Sequence, residues 1–170
     1  MAKMAKARKA KQQQLDPNAP QTILRNRKVR HLYEIVKTYE AGLALQGSEV
    51  KSLRSKALQW GDAHGRIDDG GELWLYGLHI DEYRQAGPFF NHAPGARRKL
   101  LLHRREIDQI AGMLQAKGLT VVPTHLYFKR GRAKCELAVV RGKKLHDKRK
   151  DLAKRSAQRD IDREMSRRLR

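Results

Sequence analysis

Seven histidines, two adjacent aspartates and one cysteine are the side chains best equipped for catalytic or metal chemistry, and their spacing argues against both. His31, His64, His79, His92, His103, His125 and His146 never recur as HxH or HExxH, whereas a metal site needs several ligands converging at roughly 2 to 2.3 Å. Asp68-Asp69 precedes Gly70-Gly71, which places the carboxylates in a tight turn rather than in an acid–base pair. Ser48 and Ser52 lack an adjacent base, no Walker-type or GxGxxG loop is present, and lone Cys135 offers neither a disulfide nor zinc-ribbon spacing. The expectation is a protein that is not an enzyme and uses no metal or cofactor.

The cationic side chains, by contrast, are organised. Thirty-eight Lys and Arg stand against 18 Asp and Glu, a net charge of +20. Such an excess repels itself unless anions compensate it. The cations collect at 25–30, 97–105, 129–134 and 141–150, each at an end of a predicted element, and four clusters on one face would make a wide phosphate-binding surface. Tyr33, Phe89 and Phe90 beside basic runs, with no clear DNA-reading helix, favour RNA over DNA. Phe89-Phe90 admits two readings, a base-stacking surface or a plug at the edge of the core.

The elements that must position these groups follow from pattern. Leu32–Tyr39 reads as a strand, Glu40-Ala41-Gly42 as a bend and Leu43–Gln46 as its returning partner. A short helix is expected at Glu49–Arg54, with Glu49 in its first turn and Val50 and Leu53 at helical spacing. Ala63–Ile67 and Glu72–Leu78 flank the Asp-Asp-Gly-Gly turn as a hairpin. Asp81–Arg97 reads as a loop, and His103 to Glu106 as a capping box opening a helix to about Lys117. Thr120–Lys129, bent at Pro123, turns at Arg130-Gly131-Arg132 into a last strand, Lys134–Arg141. About six hairpin-joined strands with two or three helices are expected to close as an OB-like antiparallel β-barrel, because closure removes exposed edges.

Three regions result. Residues 1–24 read as a basic flexible arm, lacking the apolar stretch of a signal peptide. Residues 25–141 are the barrel, and 142–170 a basic tail, disordered when free. From Lys143 to Arg170 there are twelve Lys or Arg against five Asp or Glu, too little apolar surface to fold securely alone. Ala157, Ile161, Met165 and Leu169 nevertheless recur every four residues, so binding can turn the tail into a helix.

Five motifs in order, Asn26-Arg27-Lys28, Tyr39-Glu40-Ala41-Gly42, Gly47 to Arg54, Arg98-Lys99-Leu100-Leu101-Leu102 and Gly142 to Arg149, resemble the SsrA-binding protein family, small protein B. The resemblance runs from Asn26 to the C terminus. It implies a bacterial, cytoplasmic OB-like protein that binds the tRNA-like domain of transfer-messenger RNA and delivers it to stalled ribosomes for trans-translation. It also implies RNA contacts at Glu40, Leu101 and Lys134, and a tail that probes the empty decoding site and mRNA channel of the 70S ribosome. His146 matches a position that faces ribosomal RNA. With the basic clusters added, the expected RNA-binding set is Asn26, Arg27, Arg30, His31, Tyr33, Glu40, Lys99, Leu101 and Lys134. The expected ribosome-binding tail set is Gly142, Lys143, Lys144, His146, Asp147, Lys148, Arg149 and Met165. No membrane partner is expected, and the bound form is expected to be a monomer. The chain departs from the family pattern at Ser55-Lys56-Ala57-Leu58-Gln59 and at Ala93. Two other readings of the same residues are a ribosomal or assembly protein threaded permanently through ribosomal RNA, and a metal-dependent nuclease.

Overall fold

The computed structural model describes residues 19–144 and 163–165. Among the described residues there are nine strands: β1 (Gln21–Arg25), β2 (Tyr33–Leu43), β3 (Leu58–Gln59), β4 (His64–Ile67), β5 (Leu73–Tyr76), β6 (His79–Ile80), β7 (Arg98–Leu101), β8 (Leu119–Lys129) and β9 (Arg132–Gly142). Helices α1 (Val29–Leu32), α2 (Gly47–Arg54) and α3 (Arg104–Leu114) and a 3-10 turn at Pro88–Phe90 accompany them. The main sheet runs β1-β8-β4-β5-β7-β2-β9, and β9 pairs back onto β8. The ring β8-β4-β5-β7-β2-β9 is therefore a closed, antiparallel barrel of six strands, with β1 also paired to β8 and β3-β6 as a separate ribbon.

Closure depends on one glycine. β4 meets β8 through Gly65 opposite Val121, and a Cβ on Gly65 would lie 2.8 Å from Val121 Cγ1. Inside the ring, Leu73, Leu75, Leu100, Val121, Leu137 and Val139 are buried, and Ile110 of α3 joins their cluster. The apolar run Ala138-Val139-Val140 has a second reason. Val139 faces this interior, while Ala138 and Val140 pack with Val29 of α1, Val122 and Tyr33 on the opposite face. Both faces of β9 are covered there, so alternation disappears.

Most of the local expectations hold. Asp68 Oδ1 accepts from the Glu72 amide at 2.8 Å and Gly71 adopts φ +70°, so the acidic pair belongs to the β4-β5 turn. The His103–Glu106 capping box is formed, and α3 ends at Leu114, three residues before the expected stop. β8 shifts register between Pro123 and His125, and Arg130 and Gly131, both at positive φ, connect it to β9. Lys56, at the departure after α2, has φ +56°, a left-handed conformation that favours glycine.

Two expectations are corrected. Glu40-Ala41-Gly42 is no bend: β2 runs unbroken from Tyr33 to Leu43. Gly42 pairs with Lys134 on β9 and with Leu101 on β7, where the barrel wall turns from one partner to the next. A Cβ there would meet Leu101 Cβ at 3.3 Å, so the glycine serves a close approach rather than a turn. The stretch read as a flexible arm also contributes ordered structure, since Gln21–Arg25 forms β1 and pairs with β8.

Candidate nucleic-acid interface

Strand pairing brings three of the expected RNA-binding residues together at the C-terminal end of β2. Glu40 sits opposite Glu136, and Gly42 lies between Lys134 and Leu101. Glu40 accepts from the Tyr127 hydroxyl at 2.5 Å and from the Lys129 ammonium at 2.9 Å, and Lys134 Nζ stands 3.6 Å from its other oxygen. The Tyr127 hydroxyl and Lys129 hold the carboxyl below its ordinary range, and burial, then Glu40, pushes the phenol up. Glu40 is thus an anionic clamp that orders two lysines. Its side chain is 39% exposed, so the carboxylate is open to an RNA donor as well.

Leu101 is the apolar counterpart. It is 51% exposed and lines a groove of about 340 Å³ with Val50, Phe128, Ala133 and Lys134. An exposed leucine beside ordered ammonium groups suits a sugar or base face flanked by phosphate. Lys99, two residues away on the same side of β7, is paired with Glu72.

The remaining expected residues gather at the other end of β2. Asn26 donates through Nδ2 to the Pro123 carbonyl at 3.3 Å, and with Arg27 and Tyr33 it borders a cleft containing Trp60 and His64. Arg30 and Tyr33 border a second cleft with Arg141, Gly142, Lys143 and Lys144. His31 is half-buried in α1. Gly142 pairs with Tyr33, while the Lys143 amide and ammonium donate to the Leu32 and Arg30 carbonyls, both at 3.0 Å. Tyr33 and Gly42 are nine residues apart on one strand, a separation of about 30 Å. The tail therefore leaves the barrel far from the Glu40–Leu101–Lys134 group. His146, Asp147, Lys148 and Arg149 lie outside the described residues, and Met165 falls in the short helical segment 163–165.

Among the described residues, Lys129 and Lys134 stand at one end of β2, Arg30, Arg141 and Lys143 at the other, and Arg98 of the 97–105 cluster belongs to neither group. Arg98 is buried: its Nε donates to Glu49 at 2.8 Å, Nη2 to the Pro94 carbonyl at 2.9 Å, and Nη1 to the Leu78 carbonyl. Glu49 in turn accepts from the Gln46 amide that opens α2, at 2.8 Å. This cation binds the loop before β7 to α2, and no phosphate can reach it. The sequence signal was available in Glu49, but its partner lies 49 positions away.

Ser48 Oγ meets the buried His92 ring at 3.0 Å, and the other ring nitrogen faces the Ile80 carbonyl at 3.1 Å, so this pair ties the loop before β7 to α2. Among the described residues no group of three or more His, Cys, Asp or Glu could hold a metal ion. Cys135 is fully buried in the barrel, where burial pushes its thiol up and away from nucleophilic use. His125 is pushed down by burial and by Arg25, which favours the neutral ring that meets Thr22 Oγ1 at 3.0 Å.

A closed antiparallel barrel with an ordered lysine pair and an exposed leucine on its wall, and a basic extension leaving its far end, defines a nucleic-acid-binding barrel. Comparison narrows the class. The chain belongs to the SmpB protein family, whose model matches residues 23–167. It is 54% identical over 149 residues to the SsrA-binding protein of Mycolicibacterium vanbaalenii, covering 88% of this chain and 89% of that one. The SsrA-binding protein of Roseiflexus sp. is 54% identical over 145 residues, covering 85% and 91%. A solved chain from a study of tmRNA-SmpB in the bacterial ribosome superposes with a TM-score of 0.60 at 48% identity, covering 72% of this chain and 85% of that one.

Proposed function

We propose that this protein binds the tRNA-like domain of transfer-messenger RNA and carries it to stalled ribosomes for trans-translation, catalysing no reaction itself. The observation that carries this reading is the two-ended layout. Glu40, Leu101 and Lys134 converge from three strands at one end of β2, and Gly142 starts the basic tail at the other. One end holds the RNA, with Lys134 and Lys129 on phosphate, Leu101 against a base or ribose, and Glu40 fixing the lysines. The other end, with Asn26, Arg27, Arg30, His31 and Tyr33, supports the tail as it enters the decoding site and mRNA channel. There Gly142, Lys143, Lys144, His146, Asp147, Lys148, Arg149 and Met165 contact ribosomal RNA.

The 28 residues from Lys143 to Arg170 reach about 42 Å as a helix and about 90 Å fully extended, enough to probe a channel beyond the barrel. A net charge of +20 steers the whole protein toward RNA. The names of its relatives and of the ribosome-bound structure support the same partners. No helix among the described residues is long and apolar enough to cross a membrane; the cytoplasm is the location that ribosome rescue requires.

The test is to purify the protein from cells and sequence the RNA that accompanies it. Transfer-messenger RNA should be enriched over ordinary tRNA and ribosomal RNA. Equal recovery of all three, or stoichiometric retention on ribosomes after high-salt washing, would favour a permanent ribosomal protein instead.

A further inference from the structure

Two phenylalanines stand in water on a loop that is otherwise well held. Phe89 and Phe90 are 92% and 82% exposed on the 3-10 turn that follows Gly87, so they do not plug the core. The loop beneath them is fixed. Asn91 Oδ1 accepts from the Tyr83 amide at 2.9 Å, and its Nδ2 donates to the carbonyls of Tyr83 and Gly87 at 3.1 and 3.2 Å. His92 is buried, its ring between Ser48 Oγ at 3.0 Å and the Ile80 carbonyl at 3.1 Å. The rings are thus presented outward by a closed hydrogen-bond frame, against the hydrophobic preference for burial.

What lies beside the loop identifies its partner. His92 ties the loop to the first turn of α2, and Val50 of the same helix lines the Leu101–Lys134 groove. At 100° per residue, Val50, Arg54 and Lys51 follow one another around the side of α2 away from buried Leu53 and Ser52. Lys51 Nζ lies 5.2 Å above the Tyr83 ring, and the Arg54 guanidinium 5.9 Å from the Phe128 ring in the groove wall. The helix is therefore a cationic ridge about 10 Å wide, with the leucine groove on one side and the phenylalanine loop on the other. Alternating aromatic and cationic stations are the surface on which a single strand lies, bases on the rings and phosphates on the cations.

We propose that the Tyr83–Asn91 loop is a second contact to the RNA held at the Leu101–Lys134 groove, in which Phe89 and Phe90 stack on its unpaired bases while its backbone crosses α2 over Lys51 and Arg54. This inference rests on the RNA-binding function proposed above.

The test uses the full chain with Phe89→Ala and Phe90→Ala together, and a fragment of the tRNA-like domain as the probe. Because both rings are exposed, thermal unfolding of the variant should match the parent. Affinity for the RNA fragment should fall about tenfold or more, the effect of losing base–aromatic stacking. Phe89→Trp and Phe90→Trp should each keep the affinity, and RNA should quench their added fluorescence above the signal of Trp60 and Trp74. Unchanged affinity in the double alanine variant, with Lys134→Ala still weakening binding, would overturn the loop contact and leave the proposed function standing. Intact affinity for free RNA with lost ribosome engagement would place the rings against the ribosome and also overturn it. A parent protein that does not distinguish the tRNA-like domain from ordinary tRNA would sink the underlying function.

Discussion

Arg98 offers the sharpest separation of a basic residue that folds the protein from one that binds RNA. Replacing it with Met keeps the stem and removes a guanidinium that serves Glu49 and the carbonyls of Leu78 and Pro94. The side chains of the ion pair are 2% and 5% exposed, so the orphaned Glu49 carboxylate stays in a poorly solvated site. Breaking such a pair costs about 3 to 5 kcal/mol. For a chain of this size that lowers Tm by about 6 to 20 °C. Adding Glu49→Gln removes the orphaned charge while keeping an acceptor for the Gln46 amide. The double variant should recover all but about 2 kcal/mol, the approximate loss from two carbonyls without donors. Urea unfolding of the four proteins in a double-mutant cycle measures the coupling, and RNA affinity is read on the folded Arg98→Met variant at low temperature. Parent-like stability with weakened RNA binding would refute the assignment of Arg98 to the core.

Other substitutions probe the barrel and the clamp. Gly65→Ala puts a Cβ 2.8 Å from Val121 Cγ1 and should destabilise by about 1 to 3 kcal/mol. Val121→Ala in the same chain should relieve part of that, and no loss on urea unfolding would mean the closure is loose. Lys56→Gly should stabilise by about 0.5 to 1 kcal/mol, because the left-handed strain at φ +56° outweighs the entropy glycine adds to the unfolded chain; a lower urea midpoint would contradict this. Glu40 should titrate below its ordinary 4.5, and Tyr127→Phe should raise the midpoint, since the phenol is its leading partner. Its contribution is then fully present above the unfolded value and lost as pH falls through the depressed folded one. A carboxyl midpoint at or above 4.5 by NMR would exclude the clamp.

What the sequence showed, and what it hid, divides by range. The β4-β5 turn, the α3 capping box, the Pro123 bend and the Arg130-Gly131 turn were legible because each is decided within a few residues. Closure of the barrel followed from strand number and the cost of open edges. Gly42 misled because a glycine in a strand and a glycine in a turn look alike until its neighbours, Leu101 and Lys134, are known. β1 was hidden behind the prolines that precede it. Arg98 resembled its cationic neighbours because a buried ion pair has no local signature. At the site, charge patterning marked only the 129–134 cluster, and family resemblance supplied Glu40, Leu101 and Lys134. Only strand register shows that the three meet, and that the tail departs about 30 Å away.

That separation is tested most directly by a chain ending after Lys144, which keeps all of β9 and the Lys143 bonds to Leu32 and Arg30. Its affinity for the tRNA-like domain of transfer-messenger RNA should equal that of the full chain, while tagging of peptides on stalled ribosomes should disappear. Loss of RNA affinity in parallel with tagging would contradict a barrel that holds the RNA at one end and sends out a probe from the other.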